Sequence, residues 1–303
     1  MIERFRQGKL QWVNLKNPTA DEVQKVMIDL DLPPVLMTDL TGVVPQNTVR
    51  RVDGTIKVTL DFPAVKRLDP NHQLEVKFFV SKSHLLTVQY EELEGIDRFK
   101  RQFEVATALR KVQKHVTGAH LFVSLFENLY ESAGSKLDYV ESKLSEIESG
   151  IFKNNEKKMV FEISNVSMKL IAFRHVMHGH KDVLEDLEEP FIELFGKSFA
   201  HDIHSLQHHF AILEHRGNTQ YQTICALQDT NSAMLYTKQN EVMKIFTIMA
   251  FTTFPLTLFS SMFGMNTTAT PILGHPFDFW IIVGVMVVAT IIFFSFFKHK
   301  GWL

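Results

Sequence analysis

Asn266 is the only carboxamide in the stretch that starts at Ile245, and it follows Gly264 and Met265 at the end of an apolar run. A neutral amide there presents an oxygen acceptor without a charge; it is also a residue that often caps a helix. Counting back from Gly264 by alternating three and four residues, the period at which helices share a seam, gives Ser261, Thr257, Phe254, Ala250, Thr247, Met243 and Asn240. Further back come Tyr236, Ala233 and Asp229. Most of these are small or polar, whereas Ile245, Phe246, Ile248, Met249, Phe251, Leu256, Leu258 and Phe259 fill the other faces. Several helices sharing the stripe would enclose a narrow, weakly polar conduit fit for a cation. The same small residues also let membrane helices pack closely with no conduit between them. Met243 and Phe254 are the bulky apolar members, able to close such a path by dewetting or simply to pack between neighbours. A ring of Asp229 carboxylates would concentrate cations, while a lone one is a solvated face. A straight helix drifts about 20° per heptad from the seam period, so the stripe is not followed back to His208 and His201.

Two other groups have ligand chemistry. His201, His204 and His208 stand three and four apart, share one helix face and suit a soft metal such as zinc, or are solvated. Asp182, Glu185, Asp186, Glu188 and Glu189 form an acidic run before Pro190, with Asp202 beyond it. Carboxylates left unpaired by Lys or Arg attract a divalent cation, and at a helix end they also serve plain solvation. The N-terminal residues show no catalytic constellation, and an enzyme is not expected.

These residues must be held by a membrane hairpin. No charge falls between Lys244 and Asp278, or between Asp278 and Lys298, which leaves apolar runs 245–263 and 279–297 of 19 residues each. About 20 residues at about 1.5 Å each cross a hydrocarbon core, so both are expected to span the bilayer. The loop 264–278 has no Lys or Arg, while Lys244, Lys298 and Lys300 flank the spans, which directs both termini to the cytosol. Trp280 lies at one boundary; Trp302 lies beyond the other. Net charge is −2 over 303 residues, so nothing global suggests nucleic acid. A single cysteine, Cys225, excludes an internal disulfide. No apolar leader is visible near Met1, so no cleaved signal is expected.

Gly264-Met265-Asn266 at the end of the first run, Asn240-Glu241-Val242-Met243-Lys244 before it, Pro255-Leu256-Thr257 within it and the closing Lys-His-Lys-Gly-Trp-Leu together resemble the CorA family of magnesium channels. Trp12 to Thr19 and His84 to Tyr90 also resemble that family's N-terminal domain. The resemblance implies a funnel-shaped homopentamer in the cell (inner) membrane, with five copies of the first span around the ion path and the second span outside. It implies Mg²⁺ as the transported ion, Gly264, Met265 and Asn266 as the selectivity filter, and closure by intracellular Mg²⁺ bound between cytosolic domains. Co²⁺ and Ni²⁺ are further expected substrates, a zinc transporter on the same scaffold and a non-conducting membrane scaffold are the alternatives, and no organic cofactor is expected. Mg²⁺ releases water reluctantly, so five Asn266 amides would touch its hydration shell and not strip it. The loop from Thr267 to Pro276 carries no acid where many relatives do, so outer electrostatic focusing should be weak.

The rest reads as an α/β cytosolic domain over 1–95, long antiparallel helices over 96–196, a stalk helix over 197–244, and a basic tail over 298–303. Strands are expected at Leu10 to Leu15, Thr55 to Asp61, Leu74 to Val80 and Leu85 to Tyr90, with Asp69-Pro70-Asn71-His72 as a turn. Thr19 and Glu22 form a capping box for a helix to about Leu30. A further short helix starts near Val35. From Asp97 to about Glu148, Phe99, Phe103, Leu109, Val112, Val116 and Leu121 onward keep a helical period, as one helix or two. Gly150 and Asn154-Asn155 break it, and Glu189-Pro190 is expected to end the next helix.

Overall fold

The computed structural model describes residues 1–8, 10–37, 40, 47–63, 74–108, 117–265, 274 and 276–302. The turn expected at 69–72 and the helical residues Leu109, Val112 and Val116 lie outside these. The chain divides into two units, Met1–Asp229 and Thr230–Leu303.

The first unit is built on six strands, β1 (Ile2–Gln7), β2 (Leu10–Lys16), β3 (Thr48–Val52), β4 (Thr55–Phe62), β5 (Leu74–Val80) and β6 (His84–Gln89). They form one sheet in the order β1-β2-β6-β5-β4-β3, in which only β2 and β6 run parallel. The strand alternation decides what each face meets. Val13, Leu15, Phe79, Leu86 and Val88 point to one side and pack with Val23, Val26 and Met27 of α1 (Ala20–Asp29). Trp12 points to the other, edge-on to Phe99 of α2 (Glu94–Ala108), with ring centroids 4.9 Å apart. On that side Phe78 meets Phe122 and Phe126 of α3 (Gly118–Phe152). The capping box at α1 is present: Thr19 Oγ1 accepts from the Glu22 N–H at 3.3 Å, and the Glu22 carboxylate accepts from the Thr19 N–H at 3.1 Å. The short helix expected near Val35 is a 3₁₀ turn, Pro34–Leu36.

Polar groups between sheet and helices are spent on structure. Trp12 Nε1 donates to Thr87 Oγ1 at 3.2 Å, and Thr87 Oγ1 and Gln89 Nε2 donate to Asn14 Oδ1 at 2.8 and 3.2 Å. Asn14 Nδ2 in turn donates to Glu3, which also receives Lys100 Nζ at 2.6 Å. Burial opposes ionisation of Glu3, but Lys100 and Asn14 outweigh it and hold its carboxyl below the usual range.

Two long helices follow, α3 and α4 (Glu156–Phe195), with inward residues at three- and four-residue steps: Leu137, Val140, Leu144, Ile147 and Ile151 on α3, and Met159, Ile163, Val166 and Leu170 on α4. Gly118, at the start of α3, is needed for close approach, since a Cβ there would lie 2.1 Å from the Ser81 carbonyl. The helix α4 does not stop at Glu189-Pro190. It passes through Pro190 and ends at Gly196, whose φ is 104°. The bond that Pro190 forfeits belongs to the carbonyl of exposed Asp186, where water can take it, while Phe191 is buried against Phe122, Phe195 and Phe199. After a 3₁₀ turn at Lys197–Phe199, α5 runs from Ala200 to Phe263 as one helix of 64 residues, through Pro255. In the first unit its inward face is Ile203, Leu206, Phe210, Leu213 and Ile224.

The second unit holds the end of α5 and α6 (Asp278–His299), both long and apolar enough to cross a membrane. In the apolar run of α5 the shielded positions Ile248 and Thr252 follow Lys244 at four-residue steps, and Asn231 is buried before it. Lys244 Nζ donates to the Gly301 carbonyl at 3.2 Å, which turns that face of α5 toward the end of α6. Trp302 is folded back onto Phe297, ring centroids 5.9 Å apart and 22° from parallel. Asp278 is the first residue of α6, where an acid suits the helix's positive end, and its carboxylate accepts from the N–H groups of Phe279 and Gly274 at 2.7 and 3.4 Å.

Candidate ion path

The seam read from the sequence falls on a side of α5 that the chain's own packing leaves uncovered. His215, Thr219, Gln222, Ala226, Asp229, Ala233, Tyr236 and Asn240 are all exposed, as are Met243, Phe254, Thr257 and Ser261, while Thr247 and Ala250 are half-buried. The inward residues of both units occupy other faces of the same helix.

Hydrogen bonding decides what the seam offers a solute. Thr247 Oγ1 donates its proton to the Met243 carbonyl at 2.9 Å, and Thr257 Oγ1 donates to the Thr253 carbonyl at 2.9 Å. With the hydroxyl protons committed to the backbone, only oxygen lone pairs remain outward, and lone pairs attract cations. Between these hydroxyls stands Phe254, 72% exposed, and one turn before Thr247 stands Met243, 56% exposed. Off the seam, the Phe251 carbonyl loses its helical donor to Pro255.

At the outer end, Gly264 N–H donates to the Ser260 and Ser261 carbonyls at 3.0 and 3.1 Å, and Met265 N–H to Met262 at 3.4 Å. Among the described residues, a Cβ on Gly264 would meet those same carbonyls at 3.5 and 3.6 Å, an ordinary contact. Asn266 lies outside the described residues, as do 267–273 and 275 of the loop.

The other sequence candidates are scattered. Glu188 accepts from His204 Nε2 at 3.0 Å and from Gln207 at 3.5 Å, whereas Asp182, Glu185, Asp186 and Glu189 are exposed on α4. His201 and His208 are exposed on α5. Among the described residues, no three His, Cys, Asp or Glu side chains are grouped so as to hold a metal ion. Asp202 instead has a neighbour that sequence reading missed, Glu127 of α3. Burial pushes the Glu127 carboxyl up, His209 opposes this, and the carboxylates of Asp202 and Glu131 add to the push. Glu127 sits in a run of apolar residues, Leu121 to Leu129, and only the packing of α3 on α5 reveals its partner.

The family model described as CorA-like Mg²⁺ transporter protein matches residues 7–299. The chain belongs to that family. The cobalt/magnesium transport protein CorA of Methanocaldococcus jannaschii is 20% identical over 99% of this chain and 93% of its own. The cobalt/magnesium transport protein CorA of Thermotoga maritima is 22% identical over 96% and 83% respectively. The complete structure of the CorA magnesium transporter from Methanocaldococcus jannaschii superposes with a TM-score of 0.85 at 18% identity, covering 99% of this chain and 93% of that one. The CorA fold is therefore present from the N-terminal sheet to the second apolar helix.

Proposed function

We propose that this chain forms a homopentameric Mg²⁺ channel of the cell (inner) membrane with both termini in the cytosol, and that α5 lines its ion path. The observation that carries this reading is the uncovered seam of α5, polar or small for most of its length and furnished with lone pairs at Thr247 and Thr257. Support comes from the magnesium and cobalt transport named for its relatives.

Five Asn266 amides at the outer mouth accept hydrogen bonds from the water shell of Mg²⁺, so the ion enters without stripping. The ring oxygens of Thr257 and Thr247 then accept hydrogen bonds from the same water shell, one level at a time. Met243 and Phe254 form apolar constrictions that dewet when the helices close together. Asp229 rings raise the cation concentration at the cytosolic end. Intracellular Mg²⁺ binding near Asp202 and Glu127 relieves the repulsion between carboxylates and stabilises the closed assembly.

The test is divalent entry into liposomes holding the purified chain, followed with indicators for Mg²⁺, Co²⁺, Ni²⁺ and Zn²⁺. We expect Mg²⁺ entry, abolished or strongly reduced by Asn266→Ala with the oligomer intact. Absence of entry for every ion would leave only a membrane-anchored scaffold, and wild-type flux in the variant would remove the filter from Asn266.

A further inference from the structure

The turn between α3 and α4 carries surface chemistry that neither the fold nor the ion path uses. Lys153, Asn154 and Asn155 reverse the chain, with Asn154 at φ 65°. The turn is tight: Asn155 N–H donates to the Gly150 carbonyl at 3.1 Å, and a Cβ on Gly150 would sit 2.4 Å from Met159 Sδ. The pairing of the helices is served by Ile151, Glu156 and Met159, all buried. Phe152, Val160 and Phe161 are left outside it, and at 78% exposure Phe161 is the most exposed large apolar side chain among the described residues.

Around these stand Lys153, Lys157 and Lys158, all exposed and none ion-paired to a described residue. Two of them occupy the first turn of α4, a helix of 40 residues. The amino end of a helix carries partial positive charge and favours acids, a demand that buried Glu156 meets in the same turn, so the two exposed lysines beside it add charge the helix does not use. Charge placed without an internal gain points outward. Glu148 and Glu162 lie further back along the hairpin, which leaves the positive charge concentrated at its end.

The end is also suitably placed within the first unit. His204 pairs with Glu188, Gln207 with Leu184 and Arg174 with Asn218, so α4 runs antiparallel to α5 and its start lies toward Asp229. From that end the chain leaves for the apolar run that begins at Ile245.

We propose that the α3–α4 turn docks on the anionic headgroup layer of the bilayer that holds the two spans. Lys153, Lys157 and Lys158 meet lipid phosphates, while Phe152 and Phe161 enter the interfacial region.

The test uses the full chain with Cys225→Ala and Asn155→Cys, carrying an environment-sensitive fluorophore at position 155. It is reconstituted in phosphatidylcholine vesicles with or without phosphatidylglycerol, with a headgroup spin-labelled quencher and a chelator to remove Mg²⁺. We expect quenching in the phosphatidylglycerol vesicles, weakened by high salt. Each lysine changed to Gln should lower the docked-to-free ratio by about fivefold. Phe152→Ser with Phe161→Ser should abolish quenching while the thermal midpoint stays unchanged. Equal quenching in neutral vesicles, or no quenching in either, overturns the proposal. So does a fluorophore already shielded in detergent alone, which would mean that a second copy covers the turn. Ion flux in the same vesicles is read separately, so failure of the channel reading leaves this outcome intact.

Discussion

His180 of α4 is fully buried between the sheet, α3 and α5. Its Nε2 lies 2.7 Å from the Asp61 carbonyl and its Nδ1 3.1 Å from the Tyr130 hydroxyl, and its ring lies parallel to Phe210. Burial lowers its pKa to about 4 from 6.5, against the Asp61 hydrogen bond, so the neutral ring is the native form. The stability this confers is whole above pH 6.5 and is lost as pH falls toward 4, by about 3 kcal/mol at most. Unfolding of wild type and His180→Gln across that range should show their stability gap at pH 7 closing as pH falls; a constant gap would place the effect elsewhere. On the seam, Thr247→Val and Thr257→Val keep shape and remove the outward oxygen. Each should lower Mg²⁺ conductance about tenfold, or about 1.4 kcal/mol, with the oligomer unchanged by native mass spectrometry.

Among the elements, the apolar end of α5 has an exposed seam and a shielded face, and in the proposed channel its bulky seam residues should act as a barrier. Met243→Gly or Phe254→Gly is expected to leak in flux assays at high internal Mg²⁺, whereas unchanged flux in both would make them packing residues. The exposure of the seam was legible because a helix segregates residues by periodicity alone, and the capping box at Thr19 was legible because its two bonds are local. The strands β1 and β3 were not read. Both lie at the sheet edges, where charged residues such as Arg4, Arg6, Arg50 and Arg51 blur the apolar alternation. A local signal for β3 did exist in Asp53-Gly54, whose positive φ values of 41° and 78° make the two-residue turn into β4. Pro190 misled for the opposite reason: a local rule yielded to the tertiary packing of Phe191, which no local pattern announces. Phe191→Ala should therefore cost about 3–5 kcal/mol in chemical unfolding, more than any change at Pro190.

For the whole molecule, control by intracellular Mg²⁺ requires a cytosolic site that both the ion and the closed assembly stabilise. Glu127→Gln combined with Asp202→Asn should raise conductance at millimolar Mg²⁺ and reduce the protection that Mg²⁺ gives the first unit against proteolysis. If both inhibition and protection persist, the regulatory site lies elsewhere. The backbone-bonded hydroxyls of Thr247 and Thr257 have a consequence for the cell's energy supply. Proton hopping needs hydroxyls that are free to swing and hand a proton onward, and here each proton is fixed on a carbonyl. In the proposed assembly, rings of Met243 and Phe254 would further interrupt any file of water between them when the helices close together. If α5 lines the path as proposed, a membrane holding such channels would exchange a divalent ion while its proton-motive force stays charged.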